Sequence, residues 1–211
     1  MKIKNKGLLV IFVLSLILSI GAFPFLDNQI PIHWNVNGTI DNYGSKFWIF
    51  LEPALILLFW LLMDLLKKVD PKRSFYSLFD REYRLFKTAL CLFLFAMQIF
   101  TLAACFGIEL SMERWIPFLV GIFFAFIGNM MPKIKPNYFM GIKTPWTIAN
   151  DTVWFKTHRL AGKIWFIGGL VMALAVFLPK YFNIAIFAAV IIILTIIPML
   201  YSYLIYKKQE N

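Results

Sequence analysis

Few residues in this sequence could carry chemistry, and most of them lie in two polar segments. The first, residues 30–46, holds His33, Asp41 and Lys46 among Pro31, Asn35, Asn37, Gly38, Asn42 and Gly44. That density of turn formers predicts a compact polar structure. An imidazole, a carboxylate and an ammonium so close together could bind a peptide or a metal ion. A metal site wants three or four ligands, and this segment has no second histidine. A loop settled on a membrane surface by His33 and Trp34 is favoured over a metal site, while recognition of an external peptide stays open.

Glu52 stands inside an apolar run, directly before Pro53. An ionisable residue in such a run is costly and faces a bundle interior, a cavity or a partner. Lys46 is placed to pair with it. Asp64 lies within a turn of the end of the same run and reaches water. Gln98 and Asn129 are polar enough to hydrogen-bond between helices. Neither G-x-S-x-G, nor H-E-x-x-H, nor paired aspartates within apolar runs occur, so no enzyme, metal or cofactor is expected. With one deep carboxylate and no internal duplication, a transporter or export factor using Glu52 is the secondary reading.

The elements that must position these residues follow from composition. Of 211 residues, 61% are hydrophobic and 15% charged, and the mean hydropathy is +0.75. A soluble domain carries roughly 45–50% apolar and about 25% charged residues, so this chain has too little polar surface to cover a globule in water. Six apolar segments stand out, near residues 8–26, 47–66, 89–108, 115–131, 161–178 and 184–205. Each approaches the roughly 20 residues a bilayer core requires. The expected fold is an all-α bundle of six membrane-spanning helices, residues 1–211 forming a single membrane domain. The first segment is longer than a signal peptide's apolar core and lacks a small-x-small ending, so it reads as a span. Cys91 and Cys105 would sit about 21 Å apart along one helix, too far for a disulfide.

Charge sets the orientation. With the N-terminus inside, all of the 21 Lys and Arg except Lys46, Arg114 and Lys180 fall in cytoplasmic segments, as the positive-inside rule demands. That places both termini in the cytoplasm, residues 27–46 outside, and residues 67–88 and 132–160 inside. It also explains the net charge of +10 without nucleic acid. In the first inner loop Asp70 and Pro71 supply a helix start. Phe75, Phe79, Tyr83 and Phe86 follow on one face, an amphipathic helix expected to lie on the inner leaflet with anionic lipid as its partner. A docking face for a cytoplasmic partner is the alternative. In the second inner loop, two prolines and a glycine within residues 132–146 predict an extended, ordered turn. Asn150 or Asp151 then caps a helix carrying Trp154, His158, Ala161 and Trp165 on one face. That helix is expected to glide along the membrane surface into the fifth span.

Two stretches resemble a known family. P-I-H-W-N-x-N-G-x-x-D-x-Y-G-S-K at residues 31–46 is similar to the module after the first span in bacterial membrane proteins of the SdpI family. G-N-x-M-P-K-I-K-P-N-Y-F-M-G-I-K-T-P-W-T at 128–147, continuing into N-D-x-V-W-x-K-T-H-R-L-A-G-K at 150–163, resembles the family's second hallmark. The resemblance implies immunity to a secreted toxic peptide in a Gram-positive plasma membrane, together with capture of a cytoplasmic transcriptional repressor. On that basis His33, Trp34, Asn35, Gly38, Asp41 and Lys46 are expected to recognise the toxin outside. Lys143, Trp146, Trp154, His158 and Arg159 are expected to capture the partner inside, and Glu52 and Asn129 are the polar residues within the membrane.

Overall fold

The computed structural model describes residues 6–210; Lys2 and Lys4 of the basic N-terminus lie outside the described residues. In chain order the elements are α1 (Lys6–Ala22), β1 (Gln29–Trp34), β2 (Ile40–Ser45), α2 (Leu51–Val69), α3 (Asp80–Cys105), α4 (Met112–Met130), α5 (Pro145–Ala149), α6 (Asp151–Ala175) and α7 (Lys180–Glu210). Five helical stretches among the described residues are long and apolar enough to cross a bilayer: Lys6–Phe25, Lys46–Val69, Asp80–Cys105, Met112–Lys133 and Lys180–Gln209. The expected fifth segment, 161–178, falls in α6 and does not qualify. Its helix carries Lys156, Arg159 and Lys163, and the uncharged part beyond Lys163 covers only about 18 Å at 1.5 Å per residue.

The described chain forms two compact units. One combines the chain up to Asp64 with Phe86–Trp115; the other combines Leu65–Leu85 with the chain from Ile116 onward.

In the first unit, Leu8, Ile11, Ile56 and Cys91 form one apolar cluster and Leu26, Ile30, Ile49 and Leu102 a second. A polar knot joins α1 to α3. Gln98, fully buried, donates to the Ser15 carbonyl at 2.9 Å and the Ser19 hydroxyl at 2.8 Å, and accepts from the Ser15 hydroxyl at 2.6 Å. Ser19 in turn donates to the Ile49 carbonyl at 2.8 Å. A bilayer offers no water to these groups, so they satisfy one another. Lys87 is 2% exposed and donates to Asp64 at 2.6 Å. Asp64, 38% exposed, reaches water and is also tied to this buried ammonium, and Cys91 and Cys105 are free thiols.

In the second unit α6 lies between α4 and α7. Glycines let α4 and α6 approach backbone to backbone: a Cβ at Gly121 would stand 2.6 Å from the Ala173 nitrogen, and one at Gly162 would stand 2.9 Å from the Gly128 carbonyl. Against α7, Met172 packs on Val190 and Leu194, and the Trp165 indole donates to the Leu194 carbonyl at 3.1 Å.

The 67–88 region departs from the expected leaflet-lying helix. A 3-10 segment spans Arg73–Leu78, and the α-helix starts only at Asp80, continuing without a break through the third apolar run. Tyr76, Phe79 and Tyr83 are buried, with the Tyr76 ring centre 5.0 Å from that of Phe79, tilted, and 5.1 Å from that of Tyr83, edge to face. This aromatic row faces protein, whereas Phe75 and Phe86 are only half-buried. Asp80 pairs with both Lys67 and Arg84.

Candidate functional site

The sequence-predicted residues fall in two separate places. In the first unit, β1 and β2 form an antiparallel hairpin with register irregularities on either side of His33. Each irregularity is a place where one strand gains a residue over the other, which re-aims side chains. Asn35 builds the tip: its carboxamide oxygen accepts the backbone N–H groups of Asn37 at 2.8 Å and Thr39 at 3.3 Å. Gly38 there adopts a φ of 75°, a conformation glycine takes without penalty. A Cβ on it would sit 2.8 Å from the Glu113 backbone nitrogen. Behind the tip, His33 Nδ1 meets Asp41 Oδ1 at 2.5 Å, with the two side chains 64% and 41% exposed. Ile30 and Pro31 turn inward while Tyr43 and Asn42 stay exposed.

Lys46 does not pair with Glu52. Its ammonium lies 4.8 Å from the centre of the Phe23 ring, and its backbone N–H donates to the Asn28 carbonyl at 3.0 Å. Glu52 Oε2 is buried without a hydrogen-bond partner among the described residues. Glu52 is one wall of a cavity of about 220 Å³ under the hairpin, together with Pro31, Ile32, Trp34, Trp48 and Thr101. Asn129 stands exposed on α4.

In the second unit, residues 131–150 form a fixed shape with little regular structure. Asn137, 2% exposed, is the hub. Its oxygen accepts the N–H groups of Phe139 at 2.9 Å and Met140 at 2.6 Å, and its amide donates to the carbonyls of Lys135 at 2.9 Å and Met140 at 2.8 Å. Asp70, 1% exposed, accepts from the Tyr76 hydroxyl at 2.8 Å, the Tyr138 N–H at 3.0 Å and the Lys72 N–H at 2.7 Å. Burial first, then the hydrogen bond to Asp70 and its charge, hold the Tyr76 phenol above its ordinary pKa. Thr144 and Thr147 close a capping box around α5, and the Thr144 hydroxyl is 3.0 Å from that of Ser202 on α7.

Asn150 is the N-cap of α6, its side chain accepting from Val153 N–H at 3.1 Å; Asp151 instead pairs with Lys72 at 3.2 Å. Trp154 and His158 then point into the unit rather than along a membrane surface, at 1% and 0% exposure. The Trp154 indole donates to the Ile134 carbonyl at 2.9 Å. His158 Nδ1 is 2.8 Å from the Trp154 carbonyl and Nε2 accepts the Ile142 N–H at 3.0 Å. That pair of contacts selects the neutral ring protonated on Nδ1, and burial pushes the pKa down to about 4. Gly141 at φ 113° packs on this ring. Lys143 and Arg159 are exposed, and Trp146 lies against Tyr203 with ring centres 5.1 Å apart.

Residues 133–202 match the model of the SdpI/YfhL protein family. Over 208 residues the chain is 29% identical to Immunity protein SdpI of Bacillus subtilis (strain 168), covering 99% of this chain and 98% of that protein. Over residues 133–202 the chain resembles the SdpI/YfhL proteins. Residues 10–57 match a second model, described as a domain of unknown function (DUF1648). One SdpI/YfhL-type match thus covers the Asn137 and His158 networks, and the other covers the hairpin and Glu52. No solved structure matches the chain.

The residues that sequence reasoning passed over are Asp70 as an acceptor, Asn137, and the Thr144–Thr147 box. Asp70 was legible only as a helix start. Asn137 carries the signal of an Asx residue following a proline, and Thr144-Pro145 that of an N-cap before a first-turn proline.

Proposed function

We propose that the chain is a receptor-like immunity protein of a bacterial plasma membrane, protecting against a secreted toxic peptide and holding a cytoplasmic transcriptional repressor when that peptide is bound. The observation that carries this reading is the similarity to Immunity protein SdpI along essentially the whole chain. It takes residues 1–211 as one membrane domain with six crossings and both termini in the cytoplasm. The 161–178 segment, which begins within α6, serves as the fifth crossing. Its packing between α4 and α7 supports this, because a helix shielded by protein needs less apolar surface than one facing lipid. The placement of Lys and Arg supports the orientation.

In this reading the hairpin recognises the peptide through His33, Trp34, Asn35, Gly38, Asp41 and Lys46. Lys143 and Arg159, exposed, contact the repressor with Trp146 beside them. Trp154 and His158 act from within by holding the 131–150 segment in shape. The basic residues of 67–88 and 151–163 meet anionic lipid. No catalysis, cofactor or direct nucleic-acid contact is involved. Coupling requires the peptide-bound state to have the higher affinity for the repressor.

The test is survival of a toxin-sensitive Gram-positive host expressing the chain and challenged with a sporulation-delay-type toxin and a panel of membrane-active peptides. Protection that disappears when the hairpin is altered supports the reading, and inserted protein that protects against no peptide overturns it. A Lys143→Glu, Arg159→Glu double variant is expected to lose repressor capture and keep protection. The partnerless Glu52 Oε2 favours a second reading, a small transporter or export factor. That activity would vanish when the membrane potential and pH gradient are collapsed, whereas peptide binding would persist.

A further inference from the structure

The cavity beneath the hairpin is walled by a carboxylate whose Oε2 is buried without a hydrogen-bond partner among the described residues. Elsewhere the buried polar groups named above are satisfied: Gln98 by Ser15 and Ser19, Asp70 by three donors, Lys87 by Asp64. Among the described residues Glu52 Oε2 has no donor, and the lysine nearest in sequence is occupied over Phe23. Stripping a carboxylate of water without supplying a donor is costly, so such an oxygen marks a missing cation or proton. Glu52 shares its cavity with two indoles, Trp34 and Trp48, and with the apolar Pro31 and Ile32. Indole faces attract cations, and desolvation strengthens that attraction. The volume of about 220 Å³ is below the roughly 300–1,000 Å³ of small-molecule sites, which suits one side chain rather than a whole ligand. Trp34 ends β1, and Trp48 packs against Gly44 of β2, where a Cβ would lie 2.7 Å from its ring. The hairpin therefore forms one side of the cavity.

We infer that this cavity is a binding site for an organic cation, an alkylammonium or guanidinium group held by the Glu52 carboxylate between Trp34 and Trp48. The inference rests on the immunity reading only for the source of that cation, a basic side chain or amino terminus of the secreted peptide. A lipid ammonium headgroup offers the same chemistry, and the experiment separates the two sources.

The protein is labelled with 5-fluorotryptophan in phosphatidylglycerol nanodiscs, with the Trp34 and Trp48 fluorine resonances assigned from Trp→Phe variants. It is titrated with n-butylammonium chloride and, separately, with neutral 1-pentanol. The site predicts saturable shifts of the Trp34 and Trp48 resonances with butylammonium and none with pentanol, while Trp154 and Trp165 stay fixed. Glu52→Gln should weaken the effect at least tenfold. Unmoved Trp154 and Trp165 signals report that this variant is folded; if they move, Trp34→Leu replaces it and must weaken binding likewise. Equal response to pentanol, or a response that survives Glu52→Gln in folded protein, overturns the inference and leaves an apolar pocket. Shifts that appear on adding phosphatidylethanolamine alone assign the cation to lipid and support the site. Cation binding without protection in the survival assay would fail the immunity reading alone. Protection against a peptide whose amines are all acetylated and whose arginines are replaced, with no butylammonium response, would fail this inference alone.

Discussion

The hairpin of residues 29–45 and the segment of residues 131–158 are both polar interruptions of an apolar chain, and they treat their polar groups in opposite ways. The hairpin displays them: His33 and Asp41 meet at 2.5 Å while 64% and 41% exposed. The 131–158 segment hides them, with Asn137 at 2%, His158 at 0% and Trp154 at 1% exposure. An exposed pair can change its partner at little cost, because water replaces whatever is lost. A buried one cannot, because each lost partner strands another group. The chemistry-bearing residues of the hairpin are therefore free to meet a ligand. Those of the second segment mostly fix a shape, from which Lys143 and Arg159 project.

The sharpest way to break this contrast is to make the same substitution in both places. Asn137→Ala removes two donors and an acceptor that together serve Lys135, Phe139 and Met140. At about 1–3 kcal/mol for each of the four stranded groups, the expected loss is at least about 4 kcal/mol. Thermal unfolding in detergent should fall accordingly, and trypsin should cut after Lys143. Asn35→Ala frees two exposed N–H groups and should cost about 1 kcal/mol. Equal costs at the two asparagines would erase the distinction.

Acid sharpens it further. His158 is neutral in the folded unit with its pKa lowered to about 4, against about 6.5 for an unfolded histidine. Below pH 6.5 the unfolded chain takes a proton that the folded chain refuses, so stability falls as pH drops from 6.5 towards 4 and is flat above. The slope from this residue is about 1.4 kcal/mol per pH unit. Melting temperatures across that range should fall more steeply for the native chain than for His158→Gln. Matching slopes would mean the ring is not held neutral.

Gly38→Ala is the costliest single change expected in the hairpin. The φ of 75° and a Cβ 2.8 Å from the Glu113 nitrogen both oppose it, at about 1–3 kcal/mol for such strain. Hydrogen exchange at the Asn35–Thr39 amides should accelerate while the Phe139 and Met140 amides keep their protection. Loss of protection in both sets would show that the strain is not local to the hairpin.

Much of this was legible in the sequence and some was not, for reasons that concern distance along the chain. The Asn150 cap, the turn at Asn35–Gly38, the ordered 132–146 segment and five of the six apolar segments follow from local rules. The aromatic periodicity of 75–86 identified one face but not what it meets. The 3.6-residue period is the same against lipid and against protein, and the buried members prove to be Tyr76, Phe79 and Tyr83. Burial of Lys87 depends on Asp64, and that of Gln98 on Ser15 and Ser19, so neither appears in a local window. Glu52 was visible as a costly carboxylate. The expected pairing with Lys46 failed because the ring of Phe23, remote in sequence, takes that ammonium.

The smallest expected effect on stability is the most informative about function. Asp41→Asn removes the charge that faces His33 across an exposed gap. Exposed ion pairs contribute about 0–1 kcal/mol, so melting should be unchanged within about 1 kcal/mol, and His33→Gln should behave alike. If the hairpin recognises the peptide, both variants lower host survival at full membrane abundance. Because the two residues contact each other, the double variant should then lose no more than the worse single one. Additive losses would mean that His33 and Asp41 act at separate points on the ligand. Unchanged survival in all three would move recognition off the hairpin's exposed face and leave the Glu52 cavity behind it as the place where a peptide is read.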